Sequence, residues 1–91
     1  RLRLVIADDH AMVMDGLRAA LSQVDRMEVV ATASNGIQAI AAIKANLPDI
    51  ALLDLSMPGA NGFEVFVEAH RWSPDTRFII MTGTPNPDLL T

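Results

Sequence analysis

Three apolar runs of this chain each end on oxygen-bearing side chains. Asp54 closes Ile50-Ala51-Leu52-Leu53-Asp54 and opens the turn Leu55-Ser56-Met57-Pro58-Gly59. The pair Asp8-Asp9 follows Leu4-Val5-Ile6-Ala7, and Thr82 follows Phe78-Ile79-Ile80-Met81. If these runs are parallel strands of one open sheet, their carboxyl ends share an edge, and that edge is where such sheets bind ligands. Two carboxylates about 4 Å apart repel by about 4 kcal/mol at an effective dielectric near 20. Asp8, Asp9 and Asp54 side by side therefore need help: one holds a proton, or a cation binds. Oxygen ligands suit a hard cation, and Mg2+ takes one or two carboxylates, several waters and a phosphate oxygen. The cluster predicts a Mg2+ site completed by an arriving phosphoryl group. Asp54 is then the nucleophile, forming an aspartyl phosphate. Mg2+ offsets charge on the phosphoryl oxygens of an in-line transfer, and the Thr82 hydroxyl donates to one of them.

Each of these residues also has a structural reading. Asp8-Asp9 can cap the first helix, and Asp54 can be a buried carboxylate satisfied by turn amides. A threonine at a strand end is usually structural, and Gly59 and Gly62 suit turns. His10 and His70 read as surface or helix-packing residues rather than ligands. Met12 and Met14 read as core filler, and Trp72 as the closure of a helix end. Taken singly the signals are weak, and it is their joint placement at three run ends that carries the chemistry.

The elements that must position them follow from periodicity. Residues 3–7 form a short buried strand, and Asp9 suits the N-cap of a helix. Met14, Leu17, Leu21 and Val24 recur at helical spacing to about Val24. Residues 28–33 give a second strand, and Ser34-Asn35-Gly36 is turn chemistry. Ile37, Ile40, Ile43 and Leu47 mark a second helix stopped by Pro48. A third strand spans 50–54. Phe63, Phe66, Val67 and His70 share a face of a third helix closed by Ser73-Pro74-Asp75, and a fourth strand spans 78–81. Every connection is long enough for a parallel crossover, so the fold class is α/β with right-handed crossovers.

Bulk properties narrow the function. The 91 residues fit one domain, and 51% hydrophobic with 20% charged residues is an ordinary globular balance. Net charge is −4 and the pI about 4.8. The seven basic residues are scattered and Lys44 is the only lysine, so no nucleic-acid footprint is expected. Without cysteine there is no disulfide, thiolate nucleophile or cysteine zinc site. No apolar run reaches the roughly 20 residues of a membrane span, and no signal peptide is visible. A cytoplasmic setting and no membrane contact are expected. The chain opens on Arg1 and stops where a helix is starting, at Pro87-Asp88-Leu89-Leu90-Thr91, which reads as part of something longer.

The motifs Leu4-Val5-Ile6-Ala7-Asp8-Asp9-His10, Leu53-Asp54-Leu55-Ser56-Met57-Pro58-Gly59 and Ile80-Met81-Thr82-Gly83 resemble the receiver domain of two-component response regulators over essentially the whole chain. The Asp-Asp-His opening and the Asp-Leu-Ser-Met-Pro-Gly turn are most similar to regulators carrying a LuxR-type (NarL-type) DNA-binding domain. The resemblance implies a doubly wound, flavodoxin-like sheet and a phosphorylation switch rather than a metabolic enzyme. Asp54 matches the phosphoacceptor of a sensor histidine kinase. Asp9, Asp54 and the Ser56 backbone carbonyl would ligate Mg2+, with Asp8 helping through water. Thr82 matches the switch hydroxyl, Gly83 leaves room beside it, and Ser56 and Thr84 sit where phosphoryl lifetime is tuned.

The pattern also departs from the family. A fifth strand with a lysine and a switch aromatic is expected there, and Lys44, inside helix two, cannot supply that lysine. Residues 1–91 therefore read as a receiver incomplete at its C-terminus, with strand order 2-1-3-4. Impaired phosphate binding is expected. Strand four becomes an apolar edge open to a homodimer or a swapped oligomer. Two other functions compete. A receiver-like docking module would bind partners without phosphorylation. An aspartate-nucleophile phosphatase of the haloacid dehalogenase family would carry a second aspartate as general acid at position 56, where this chain has Ser56.

Overall fold

The computed structural model describes residues 1–81. Thr82, Gly83 and Thr84, and the helix expected to start near Pro87, lie outside the described residues. The element order is β1 (Leu2–Ala7), α1 (Ala11–Ser22), β2 (Met27–Ala33), α2 (Gly36–Asn46), β3 (Ile50–Asp54), α3 (Gly62–Ala69) and β4 (Arg77–Met81). The strands form one four-stranded sheet in the order β2-β1-β3-β4. Each pair is parallel. This is the expected α/β order among the described residues.

The main core lies where α2 and α3 cover one face of the sheet. It joins Val5 and Ala7, Ala33, Ala51 and Leu53 of the strands to Ala39 and Ile43 of α2 and Val65 and Ala69 of α3. Many of these side chains are alanine, so the helices sit close to the strands and burial comes from close approach rather than bulk. On the other face the row Ile6–Leu52–Ile79 crosses three paired strands. Its exposure runs from 0% at Ile6 to 49% at Ile79. Among the described residues β4 is thus an edge strand.

Several sequence-based expectations are corrected. Helix α1 ends at Ser22, and Val24, 40% exposed, is not part of its buried face. Asp9 is not its N-cap: His10 occupies that position, with no side-chain cap bond. Met12 is 88% exposed, and only Met14 of the pair fills the core. Ile37 and Leu47 are exposed and do not mark the buried stripe of α2, which is Ala39 and Ile43. Ile43 is buried and Ile40 packs against the core as expected, and the small Ala39 completes the contact. Leu47, barred from the helix by the following Pro48, caps α2 in a left-handed conformation at φ 46°. In α3, Phe63 and Val67 face outward, while Val65 and Ala69 are buried. Phe66 does pack, with its ring 5.4 Å from His70 and 5.1 Å from Phe78. Trp72 is exposed and carries the Lys44 ammonium 4.5 Å above its ring.

Side chains fix where the helices begin. Asn35 Oδ1 accepts the Gln38 amide at 2.8 Å, satisfying one of the amides left open at the start of α2. Asn61 and Glu64 form a reciprocal capping box on α3. At the amino end of the sheet, the Arg3 amide donates to Asp49 Oδ2 at 2.7 Å and the Arg77 amide to the Asp49 carbonyl at 2.9 Å. Buried Thr76 donates its hydroxyl to the Pro48 carbonyl and is also hydrogen-bonded to Ser73.

Two glycines give opposite expectations. A Cβ on Gly62 would stand 2.6 Å from the Asp54 carbonyl oxygen, whereas one on Gly16 meets nothing within 4 Å. Gly62→Ala should destabilise by about 1–3 kcal/mol through overpacking. Gly16→Ala, in the interior of α1, should stabilise by about 0.5–1 kcal/mol. Urea midpoints of the two variants check both signs.

Candidate functional site

Strand register brings the carboxylates together. Ala7 pairs with Leu53, so the residues that follow, Asp8 and Asp54, reach the carboxyl edge as neighbours. The Asp8 amide is held by the Ala33 carbonyl at 3.0 Å, and the Leu55 amide by Met81 at 2.8 Å. Both aspartates are buried, 5% and 2% exposed. Asp9 and His10 are exposed, and the extended His10 backbone (φ −99°, ψ 108°) carries the chain into α1.

The His10 ring closes the cluster. Its Nδ1 lies 2.9 Å from Asp8 Oδ1, 3.0 Å from Asp9 Oδ1 and 3.6 Å from Asp54 Oδ2. The His10 amide also donates to Asp8 Oδ1 at 2.8 Å. One ligand-type atom from each of Asp8, Asp9, His10 and Asp54 falls within 4.8 Å of the others. The hydrogen bond to Asp8, then the Asp9 charge, raises the His10 pKa above its ordinary 6.5. Burial raises the Asp54 pKa above its ordinary 3.8; the Ser56 amide opposes this, and the charges of Asp8 and Asp9 add to it.

The two oxygens of Asp54 differ. Oδ1 accepts the Ser56 amide at 3.2 Å. Oδ2 is buried without a hydrogen-bond partner among the described residues. The turn therefore satisfies only half of this carboxylate. An unmet buried acceptor costs about 1–3 kcal/mol, and a divalent cation among these oxygens would remove that cost. The donor set of three carboxylates, one of them with an orphaned oxygen, fits a hard cation such as Mg2+. Gly62, whose amide donates to Leu55 at 3.1 Å, packs against the Asp54 backbone and so holds α3 tight beneath the site.

Asp8, Asp9 and Asp54 meet as their spacing implied, and Ser56 joins through its backbone amide. Thr82, Gly83 and Thr84 lie outside the described residues. His10 is exposed, as a surface residue is expected to be, but its ring also lies against the carboxylates, a contact that the sequence did not suggest. Its place directly after two aspartates was the available signal, but nothing in sequence shows that an extended residue there turns its ring back onto the strand ends. His70 packs on aromatic rings, as expected.

Comparison with known proteins agrees with this geometry. A sequence profile described as the response regulator receiver domain matches residues 4–91. The chain is 42% identical to the oxygen regulatory protein NreC of Staphylococcus epidermidis over 89% of its length. It is 36% identical to the transcriptional regulatory protein NarL of Mycobacterium tuberculosis over 99%. It spans 38% and 42% of those relatives' lengths. The solved signal receiver domain of M. tuberculosis NarL superposes with a TM-score of 0.88 at 36% identity, covering 98% of this chain and 72% of that one. The isolated REC domain of RcsB from Salmonella enterica serovar Typhimurium, solved with phosphomimetic BeF3−, superposes at 0.85 with 29% identity, covering 99% and 67%.

Two measurements test the electrostatics. In metal-free protein, the His10 imidazole followed by NMR should titrate above 6.5, and saturating Mg2+ should lower that value because a bound cation repels the proton. A raised histidine pKa stabilises the fold below the unfolded pKa, and that stability fades as pH climbs through the folded value. Asp54 has the opposite effect: its penalty is absent below about 3.8 and complete above its raised folded pKa. Asp54→Asn should therefore stabilise metal-free protein at pH 7 by about 1–3 kcal/mol, with the gain shrinking on acidification, as read by chemical denaturation across pH.

Proposed function

The chain belongs to the response regulator receiver family, and from that premise we propose that it is a phosphorylation-dependent signalling switch whose phosphoacceptor is Asp54. The observation that carries this reading is Asp54 Oδ2, buried and without a partner beside two further carboxylates. A purely structural aspartate in that position would have both carboxylate oxygens hydrogen-bonded. The donor is a sensor histidine kinase, and the output is that of a transcription regulator like the relatives named above. A cytoplasmic setting follows from the same role.

Asp54 attacks phosphorus in line. The new O–P bond forms as the P–N bond to the donor histidine breaks, and the departing imidazole keeps the electron pair and takes up a proton. Burial keeps the Asp54 carboxylate poorly solvated and its backbone fixed, so its oxygen is aimed before the donor arrives. The Ser56 amide holds Oδ1, which sets the plane of the carboxylate. Asp9, Asp54 and the Ser56 carbonyl are the residues that would hold Mg2+, with Asp8 acting through water. When bound, Mg2+ offsets the charge of the phosphoryl oxygens. Thr82 is assigned the switch hydroxyl, and Gly83 and Thr84, with Ser56, the tuning positions. The REC domain of RcsB has been solved with a phosphomimetic, which supports carrying this chemistry to a chain of the same fold.

Intact mass after incubation with acetyl phosphate and Mg2+ tests the assignment. The parent should gain one phosphoryl group and Asp54→Asn none. An adduct on the variant, or none on folded parent, would refute it.

A further inference from the structure

We propose that the outer edge of β2 is a docking site for an extended, acidic peptide segment of a partner protein, which adds a short strand beside residues 27–29. The inference concerns the amino end of the sheet and draws nothing from the phosphoacceptor chemistry at the other end.

Backbone geometry supplies the first argument. β2 is an outer strand of the sheet, and among the described residues no strand pairs with its far side. The Leu2 amide donates to the Arg26 carbonyl at 2.6 Å, and Leu2 is in register with Met27, Leu4 with Val29. Successive residues of a strand turn their backbone groups to opposite sides, so Arg26 and Glu28 bond to β1. The Met27 carbonyl and the Val29 amide then point outward, placed to accept from and donate to an added strand. The template is short. The register skips Val30 between Leu4 and Val5, and a bulge of this kind turns an edge away from further pairing. A few residues of peptide fit it better than the full strand of a second copy.

Side chains supply the second argument. A cavity of about 470 Å³ lies between this edge and the last turns of α1, walled by Leu21, Met27 and Val29, with Arg1, Arg18 and Glu28 as its charged groups. The apolar three are half-buried and both arginines are exposed. Neither arginine forms an ion pair among the described residues. The cavity thus carries a positive balance in a chain of net charge −4. That balance selects acidic side chains in the ligand, and the overall negative charge disfavours a second copy. The carboxylates at the other end do not cancel it. The 6 residues of β1 separate the two ends, about 20 Å at roughly 3.3 Å per residue, against a Debye length of about 8 Å at physiological salt.

Titration with a labelled heptapeptide of alternating valine and glutamate tests this at low salt. A valine–lysine peptide and a backbone N-methylated valine–glutamate peptide serve as controls. The acidic peptide should bind saturably and the controls should not. Arg18→Glu, shown by circular dichroism to fold, should weaken binding about tenfold through one lost ion pair and one new repulsion, and added salt should act in the same direction. Hydrogen exchange of the Val29 amide should slow on binding, while the Met27 amide, already bonded to the Val24 carbonyl, should change little. No saturable binding, an affinity unchanged in Arg18→Glu, or a Val29 amide left unprotected would overturn the proposal. Dimerisation of the parent that slows Val29 exchange without peptide would assign the edge to a second copy and overturn it too.

Discussion

A carboxylate placed at the end of a buried strand cannot be solvated by bulk water, and in this protein that carboxylate belongs to Asp54. Asp8 is its neighbour by register, and Asp9 follows on the same edge. Like charges at this spacing raise the cost of ionisation, which burial has already raised. The surroundings answer with partial measures: one turn amide from Ser56, an imidazole from His10, and an oxygen left unmet. The arrangement is left incompletely satisfied, and such groups cluster where chemistry is done. The core is built so that this edge can be held. Alanines on β1, β2, β3, α2 and α3 let the helices lie close to the sheet, and Gly62 removes the one side chain that would push α3 off the Asp54 backbone.

The sequence revealed the sheet and its order of elements because strands buried by crossover helices are continuous apolar runs. It revealed the acidic edge for the same reason: a run's last residue marks a strand's end. Helix faces were harder to read. Ile37, Leu47, Phe63 and Val67 have the right character at helical spacing and yet face solvent, because much of the contacting stripe is Ala39, Val65 and Ala69, smaller side chains that carry little periodic signal. His10 was hidden by a backbone angle. An imidazole after two aspartates has no fixed direction until the N-cap conformation is known. Ser56 could be placed near Asp54 by adjacency, but that it acts through its amide depends on the turn.

Family membership and physical reading support each other at different levels. Relatives 36–42% identical over most of the chain show that these residues belong to receiver domains. They do not explain why Asp54 keeps a bare oxygen. The buried, half-satisfied carboxylate does, since a site that is fully content in isolation has no reason to bind a cation or accept a phosphoryl group. Stability and reactivity compete at this residue, as they do wherever a reactive group is held out of water.

The two ends of the sheet are built differently. At the amino end, Asp49 receives amides from Arg3 and Arg77, and Thr76 donates to Pro48, so neighbouring strands are laced together by side chains as well as by the ladder. At the carboxyl end three carboxylates repel one another, and the His10 ring offsets only part of that repulsion. The sheet therefore resembles a cantilever, anchored at one end and loaded at the other. Displacement caused by a change of charge at the tip need not travel along the strands into the anchored end. It can spread sideways, through the segments that follow β1 and β3 at that edge.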